Sequence, residues 1–470
     1  SSIQQFFKKK LYTLCIFFQQ RYYAKRIRSA MDINMKCREN PVIFKLDSPE
    51  FKNIFTPEVI DLKKLFDKYD YEIRIAGGAV RDLLMGLQPK DLDFATVATP
   101  QQMKEMFIKE EIRMINMNGE KHGTITPRIN DKENFEVTTL RIDMITDGRH
   151  AEVEFTTDWK LDANRRDLTI NSMFLGFDGS VYDYFFGYED LQKKRVAFVG
   201  DPDVRIKEDY LRILRYFRFY GRIAEQADNH ERETIDIIRR NADGLENISG
   251  ERIWVELKKI LQGRFAGDLL RCMLELGLGK YFGLPENPNM DEFTKVLSRG
   301  GHLNLQPMTI LAALLNEDEE MQNLHSRLKF SNYDKDLAYF IMENRDEKIA
   351  ERPLLPYERL LLFSKNKNGA DYIQELLKYE GKEDLLEQFN RWTPPKFPVT
   401  GQTLKENGVK EMKKFQFIIE CLKAIWIEND YKQTKEDLVP LIPQIVEDLK
   451  NDKELKTHKN NLFKKKKIKK

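Results

Sequence analysis

Two pieces of one short stretch, Ile73 to Thr96, carry residue types that do chemistry. The first is Gly77-Gly78 followed by Ala79-Val80-Arg81-Asp82, and the second is Asp91-Leu92-Asp93. A glycine pair between a short apolar run and a helix lets backbone N–H groups approach a phosphate, and the helix N-terminus adds partial positive charge there. Arg81 adds a full charge with a fork suited to phosphate oxygens. Asp91 and Asp93 are expected on a second strand, where residues two apart share a face, so their carboxylates make an oxygen-ligand site for Mg²⁺. A glycine pair alone is equally a turn, and Asp-x-Asp alone is equally a solvated strand end. Together, at this range, they point to metal-dependent nucleotidyl transfer.

The surrounding chain must position them. Phe51, Ile54, Phe55, Ile60, Leu62 and Leu65 recur at near-helical spacing, which predicts helices leading into the first strand. Thr99 then caps a helix that has Pro100 at its first position. Three β-rich runs follow, IRMIN, HGTITPRI and FEVTTLRI, so a small mixed sheet flanked by helices is expected, with the Asp pair at its mouth. Glu136 alternates with core residues on the third run and is expected beside the Asp pair; a cross-strand partner for Arg141 is an equal reading. Residues 143–162 are polar, without a sustained period, and read as a mobile loop. Arg165, Arg166 and Asp167 read as the charged start of a helix carrying Leu168, Ile170, Met173 and Phe174.

The motif pair resembles the family of tRNA nucleotidyltransferases (CCA-adding enzymes) and bacterial poly(A) polymerases, within the polymerase-β-like superfamily. Three later stretches extend the likeness. Arg165-Arg166-Asp167 through Asn171 matches the family's R-R-D-x-x-x-N, which implies that Arg166 contacts nucleotide, Asp167 holds the site together and Asn171 is structural. Asp178, Asp183 and Gly187 echo a motif that joins head to neck, and Glu251-Arg252 one that braces the neck helices. Glu208 to Phe219 matches E-D-x-x-R-x-x-R-x-x-R-F in full, which implies nucleotide recognition. The likeness also implies that Glu136 is the third acidic position, that the 143–162 loop takes part in later addition steps, and that two Mg²⁺ ions act at Asp91 and Asp93.

Chemistry explains how Asp209 and Arg212, expected one helical turn apart, would choose a base. Cytosine and adenine each present an amino donor beside a ring-nitrogen acceptor, so a carboxylate accepts from the first and a guanidinium donates to the second. Uracil and guanine present the reverse order and would leave buried groups unpaired at about 1–3 kcal/mol apiece. One protein edge thereby templates C and A without a nucleic-acid template, and Arg215 and Arg218 read as triphosphate ligands. Taken alone, the basic stripe with interleaved aromatics is equally a solvated helix or a general RNA contact.

The 470 residues exceed one ordinary core. The expected architecture is α+β: a polymerase-β-like head with a small mixed sheet (41–181), then an all-α neck (182–290), body (291–395) and tail (396–470). Charged residues make up 33%, yet the net charge is only +2, so nucleic-acid surfaces must come from local clusters. Cys15, Cys37, Cys272 and Cys421 show no C-x-x-C, which speaks against structural zinc and for a reducing compartment. No run is apolar for the ~18–20 residues that span a bilayer, so a soluble protein without a membrane partner is expected. Residues 1–30 hold seven Lys or Arg and no Asp or Glu, which fits a mitochondrial presequence within a 1–40 leader better than a plain basic tail; a start at Met31 would give a second pool in the cytoplasm or nucleus. The chain ends in LFKKKKIKK, a grip on RNA phosphate, a nuclear address or a solubilising tail. The expected partners are tRNA lacking its 3′ CCA, CTP and ATP. Competing readings are a poly(A) polymerase of the same family and a non-catalytic tRNA-binding protein, the latter at odds with the intact acid pair and R-R-D.

Overall fold

In the computed structural model, residues 35–450 are described except 116, 145–151, 347 and 349. Segment 1–30, Met31, the Lys-rich end and the tip of the 143–162 stretch lie outside the described residues. Strand β1 (Val42–Lys45) comes first, then helices α1 (Pro49–Asn53) and α2 (Pro57–Lys68), each with a hydroxyl cap, Ser48 or Thr56, and a proline in its first turn. Strand β2 (Ile73–Ala76) leads into α3 (Gly78–Leu84), and β3 (Asp93–Thr96) into α4 (Pro100–Lys109). Thr99 caps α4 as expected and closes a capping box with Gln102. The β-rich runs form β4 (Met114–Ile115), β5 (Thr124–Ile129), β6 (Glu133–Asn134), β7 (Glu136–Thr139) and β8 (Arg141–Met144).

The main sheet runs in the order β1, then β11 (Ser180–Tyr182), β10 (Phe174–Leu175), β2, β3, β7, β5 and β4, with β6 beside β5. Strands β2 and β3 are antiparallel, whereas β3 and β7 are parallel. Ile75, Phe94, Val137, Phe174 and Leu175 are buried and anchor the sheet to its helices. The stretch expected to be an irregular loop contains β9 (Glu152–Phe155), paired antiparallel to β8 from Arg141↔Phe155 to Met144↔Glu152. The EVEF run alternates charged and apolar side chains, the pattern of a half-exposed strand.

Helix α5 (Trp159–Arg165) follows, capped by Asp158. The helix expected to begin at Arg165 therefore ends there. Arg166 is its extended C-cap, Leu168 bridges to Phe198, Thr169–Asn171 forms a single 3₁₀ turn, and Phe174 is already strand. The apolar residues after Asp167 alternate into the sheet and the core instead of lining one helical face. Next come α6 (Gly187–Gln192), α7 (Pro202–Glu208), α8 (Leu211–Ile223), α9 (Arg232–Arg240) and α10 (Gly250–Leu261). At Gly187 a Cβ would lie 2.1 Å from the carbonyl oxygen of Thr169, so only glycine lets α6 rest on the Thr169–Asn171 turn. Asp183 fixes that junction by accepting from the backbone N–H groups of Gly187 and Tyr188, both at 3.0 Å.

The chain divides into two compact units, one reaching Asn287 and including Gln322–Phe330, the other comprising Pro288–Met321 and the chain from Ser331 onward. The second unit is helical in all its described elements, and Leu404, Ile418, Leu422, Trp426, Leu438 and Ile442 form one of its buried cores. Among the described residues, no helix is long and apolar enough to cross a membrane.

Candidate active site

Strand register brings the first motif pair together. Ala76, the last residue of β2, lies opposite Asp93, the first of β3, and Asp93 lies opposite Glu136, the first of β7. The Gly77-Gly78 turn thus leaves the sheet at the same edge where Asp93 and Glu136 project. Gly77 has φ +65° and ψ −123°, a conformation that side chains resist, and Gly78 starts α3. Asp91 is exposed in the bend two residues before β3 and not on the strand, which begins only at Asp93.

The charges at this edge are unbalanced. The Asp93 carboxyl is pushed above its ordinary range, first by desolvation and then by the charges of Glu136 and Asp91, while Arg166 pulls the other way. Among the described residues no three His, Cys, Asp or Glu side chains form a ready metal cage. Asp91, Asp93 and Glu136 are an open-sided set of hard oxygen donors with excess negative charge. That donor chemistry fits Mg²⁺, which keeps water and substrate oxygens in its shell and seldom takes an all-protein cage.

Arg81 is held by partners inside the protein. Its guanidinium is only 3% exposed and donates to Asp82 Oδ1 from Nε at 3.1 Å and from Nη2 at 2.8 Å, and to Asn171 Oδ1 from Nη1 at 2.6 Å. Each of its three nitrogens has an internal acceptor, so Arg81 braces α3 against the Asn171 turn. Two guanidinium groups reach the glycine turn: Arg81 Nη2 lies 3.6 Å from where a Cβ on Gly78 would sit, and Arg166 approaches Gly77. The Nη1 of Arg166 lies 3.2 Å from where a Cβ on Gly77 would sit and 3.4 Å from the carbonyl oxygen of Asn171, to which it donates.

The segment around Asp167 is tied to the neck helices. Asp167 pairs with Arg215 and accepts from the backbone N–H of Leu168, Arg205 donates to the carbonyl of Arg166 at 2.7 Å, and Arg212 donates to that of Arg165 at 3.2 Å. The charges and hydrogen bond of Arg215 hold the Asp167 carboxyl below its ordinary value although burial pushes it up.

Asp209 stands outside the helix that carries Arg212, although the N–H of Arg212 donates to the Asp209 carbonyl at 3.0 Å. Asp209 is extended, with φ −153° and ψ 104°, in the break between α7 and α8. Its carboxylate accepts from the backbone N–H of Leu211 at 3.1 Å and from Arg252 at 3.0 Å. Arg212 reaches the other way, to Glu208 at 2.6 Å and the carbonyl of Arg205 at 3.0 Å. Further along α8, Arg218 faces Glu256 at 3.3 Å, Arg215 lies 3.9 Å from the same carboxylate, and Arg222 reaches Asp82 at 2.7 Å. Asp162, Glu256 and Arg222 escaped the sequence reading, and Asp82 entered it only as the last residue of the Gly77-Gly78 motif. Glu256 is a buried acid on a helix whose neighbours Ile253, Trp254, Leu257 and Ile260 are core, and Asp162 stands three and four residues before two arginines, a helical pairing distance.

Acids and a glycine turn on one sheet edge, followed by a helix lined with arginines, define a nucleotidyltransferase head and neck. Residues 73–197 match the family described as poly A polymerase head domain, and residues 230–288 match the one described as probable RNA and SrmB-binding site of polymerase A. The mitochondrial CCA tRNA nucleotidyltransferase 1 of Mus musculus is 51% identical over 402 residues, 85% of this chain and 92% of the relative. That of Danio rerio is 50% identical over 404 residues, 85% of this chain and 94% of the relative. The chain belongs to the CCA tRNA nucleotidyltransferase family, whose chemistry depends on a divalent metal ion. A crystal structure of the Bacillus stearothermophilus CCA-adding enzyme in complex with CTP shares the fold, with a TM-score of 0.68 and 23% identity over 86% of this chain and all of that one.

Proposed function

We propose that this protein adds cytidine, cytidine and adenosine to the 3′ end of tRNA without a nucleic-acid template, taking CTP and ATP and releasing pyrophosphate. The observation that carries this reading is the register that sets Asp93 and Glu136 beside the Gly77-Gly78 turn, in a chain half identical to CCA tRNA nucleotidyltransferases. It favours CCA addition over poly(A) synthesis, because the relatives so similar over most of their length are named for CCA. Their names also favour a mitochondrial location for this protein.

In this reading the 3′-hydroxyl oxygen of the RNA bonds to the α-phosphorus as the bridge to the β-phosphate breaks. Asp91 and Asp93, with Glu136 beside them, would hold Mg²⁺, which supplies charge neutralisation at the reacting phosphate and the leaving pyrophosphate. The N–H of Gly78 and the Nη1 edge of Arg166 face the triphosphate across the Gly77 turn, whose own N–H donates to the carbonyl of Met173 at 3.4 Å, and Arg215 and Arg218 extend that basic wall. Asp209 and Arg212 meet the base edge, exchanging Arg252 and Glu208 for the amino group and ring nitrogen of C or A. Arg81 acts from behind, as a brace. The head at 41–181 and neck at 182–290 carry this chemistry, and the helical body and tail hold the RNA by shape and phosphate contacts.

The test is incubation of the purified protein with tRNA lacking CCA, CTP, ATP and Mg²⁺, followed by sequencing of the product end. Addition that stops after CCA is expected. An open-ended A tract would assign the chain to poly(A) synthesis, and no incorporation would leave it a binding protein.

A further inference from the structure

Asp162 is only 1% exposed, and it sits in the short helix α5 directly before the Arg166 it contacts. A lone carboxylate buried this deeply would be expected to neutralise. This one is surrounded by donors. Its Oδ2 accepts from Nε of Arg166 at 3.2 Å and from Nη2 at 3.1 Å, and its Oδ1 accepts from Nε of Arg165 at 2.9 Å and from the backbone N–H of Arg141 at 3.1 Å. Burial raises its pKa, but the charges of Arg166 and Arg165 and the Arg141 N–H outweigh that, so it stays ionised below the usual carboxylate range.

The geometry of the pair decides which edge of Arg166 is left. Nε and Nη2 are used by Asp162, and the guanidinium lies 4.9 Å from the centre of the Phe174 ring. Only Nη1 is turned toward the glycine turn, as described above. An unconstrained arginine spreads over many rotamers, and fixing one in advance removes an ordering cost from ligand binding.

We propose that Asp162 is a positioning residue for nucleotide binding: it locks Arg166 so that one guanidinium nitrogen faces the triphosphate site at Gly77. This rests on the reading of Arg166 as a nucleotide ligand. Asp162 touches no substrate itself and acts through Arg166. A carboxylate that merely stapled α5 to β8 would make the same contacts to Arg141 and Arg165 but would not depend on Arg166.

The two roles separate in a double-mutant cycle on the full chain, measuring kcat and KM for CTP and ATP with tRNA lacking CCA. Asp162→Asn should raise KM about tenfold with a smaller fall in kcat, and its effect should shrink to less than about threefold in an Arg166→Ala background. The same factor in both backgrounds overturns the inference while leaving Arg166 a nucleotide ligand. Wild-type KM in Arg166→Ala alone removes Arg166 from the binding site and the inference with it. Should Asp162→Asn fail to fold, Asp162→Glu keeps the charge and shifts it by one methylene. A KM raised by about threefold or more at a near wild-type Tm supports the positioning role, and an unchanged KM overturns it.

Discussion

The sheet edge and the neck helix handle charge in opposite ways. At the edge, Asp91, Asp93 and Glu136 gather negative charge that Arg166 offsets only in part, and Asp93 is strained toward its protonated form as a result. Along α8, the cations are matched inside the protein: Arg212 by Glu208, Arg215 by Asp167, Arg218 by Glu256 and Arg222 by Asp82. The acids therefore wait for a cation from outside, whereas the arginines are held in place and must exchange or share a partner when a nucleotide arrives. An open acid set suits a metal that enters with each substrate. A paired basic stripe suits a template that must keep its shape between additions.

The largest effect should come from the unbalanced side. Asp93→Ala or Asp91→Ala should lower nucleotide incorporation by about a thousandfold or more, since several kcal/mol of transition-state charge stabilisation are lost at about 1.4 kcal/mol per factor of ten. Affinity for tRNA, measured by filter binding, should stay within about threefold, because phosphate contacts elsewhere dominate it. Near wild-type incorporation would take the acids out of the active site.

On the paired side the loss should be smaller and selective. In the proposed reading Asp209→Ala removes the acceptor for the amino group of C and A, so kcat/KM for CTP and ATP should fall about ten- to a hundredfold, the equivalent of a charged hydrogen bond of ~1.5–3 kcal/mol. UTP and GTP should lose less, because the carboxylate only repelled their carbonyl oxygens. An equal fall for all four nucleotides would make Asp209 a structural residue of the α7–α8 break.

The contrast also predicts stability. Because the folded-state pKa of Asp93 is raised, its ionised form works against the fold; that penalty is absent below the unfolded pKa and appears as pH rises through the folded value. In metal-free buffer, Asp93→Asn should therefore raise Tm at neutral pH, and the gain should fade as the pH falls into the ordinary carboxylate range. Adding Mg²⁺ should raise the Tm of the wild type more than that of the mutant. A gain that persists at low pH would mean that shape, not charge, is being changed.

Much of the edge was legible because its signals are local. Glycines at a strand end, a cap at Thr99-Pro100 and the alternation around Glu136 each state their own geometry, and register then brings Glu136 to Asp93. What escaped depends on partners distant in sequence. Nothing in EDYLRIL breaks a helix, since it holds neither Gly nor Pro; the break at Asp209 accompanies a backbone cap on Leu211 and the pull of Arg252 from another helix. Arg81 has the residue type of a phosphate ligand, yet Asp82 beside it and Asn171 from ninety residues on turn it inward. The R-R-D segment has apolar spacing compatible with a helix, and the demands of the sheet at Phe174 override it.

Arg252 offers the finest test of the paired side. Its contact with Asp209 is partly open to solvent, with side chains 52% and 34% exposed, so as an ion pair it should be worth no more than about 1 kcal/mol. Arg252→Ala should accordingly shift Tm by at most about 2–4 °C. Its influence on nucleotide choice should nonetheless be measurable, because it holds one oxygen of the carboxylate proposed to select the base. If that hold keeps Asp209 ready, CTP and ATP should lose about two- to fivefold in kcat/KM, while UTP and GTP change less, as expected from a contribution of under ~1 kcal/mol. If the hold is instead an obstacle that the base must displace, the same substitution should lower KM for CTP and ATP. The direction of the KM change therefore decides whether internal pairing on α8 prepares the template or competes with the nucleotide for it, and an unchanged KM for all four would show that Arg252 plays no part in base selection.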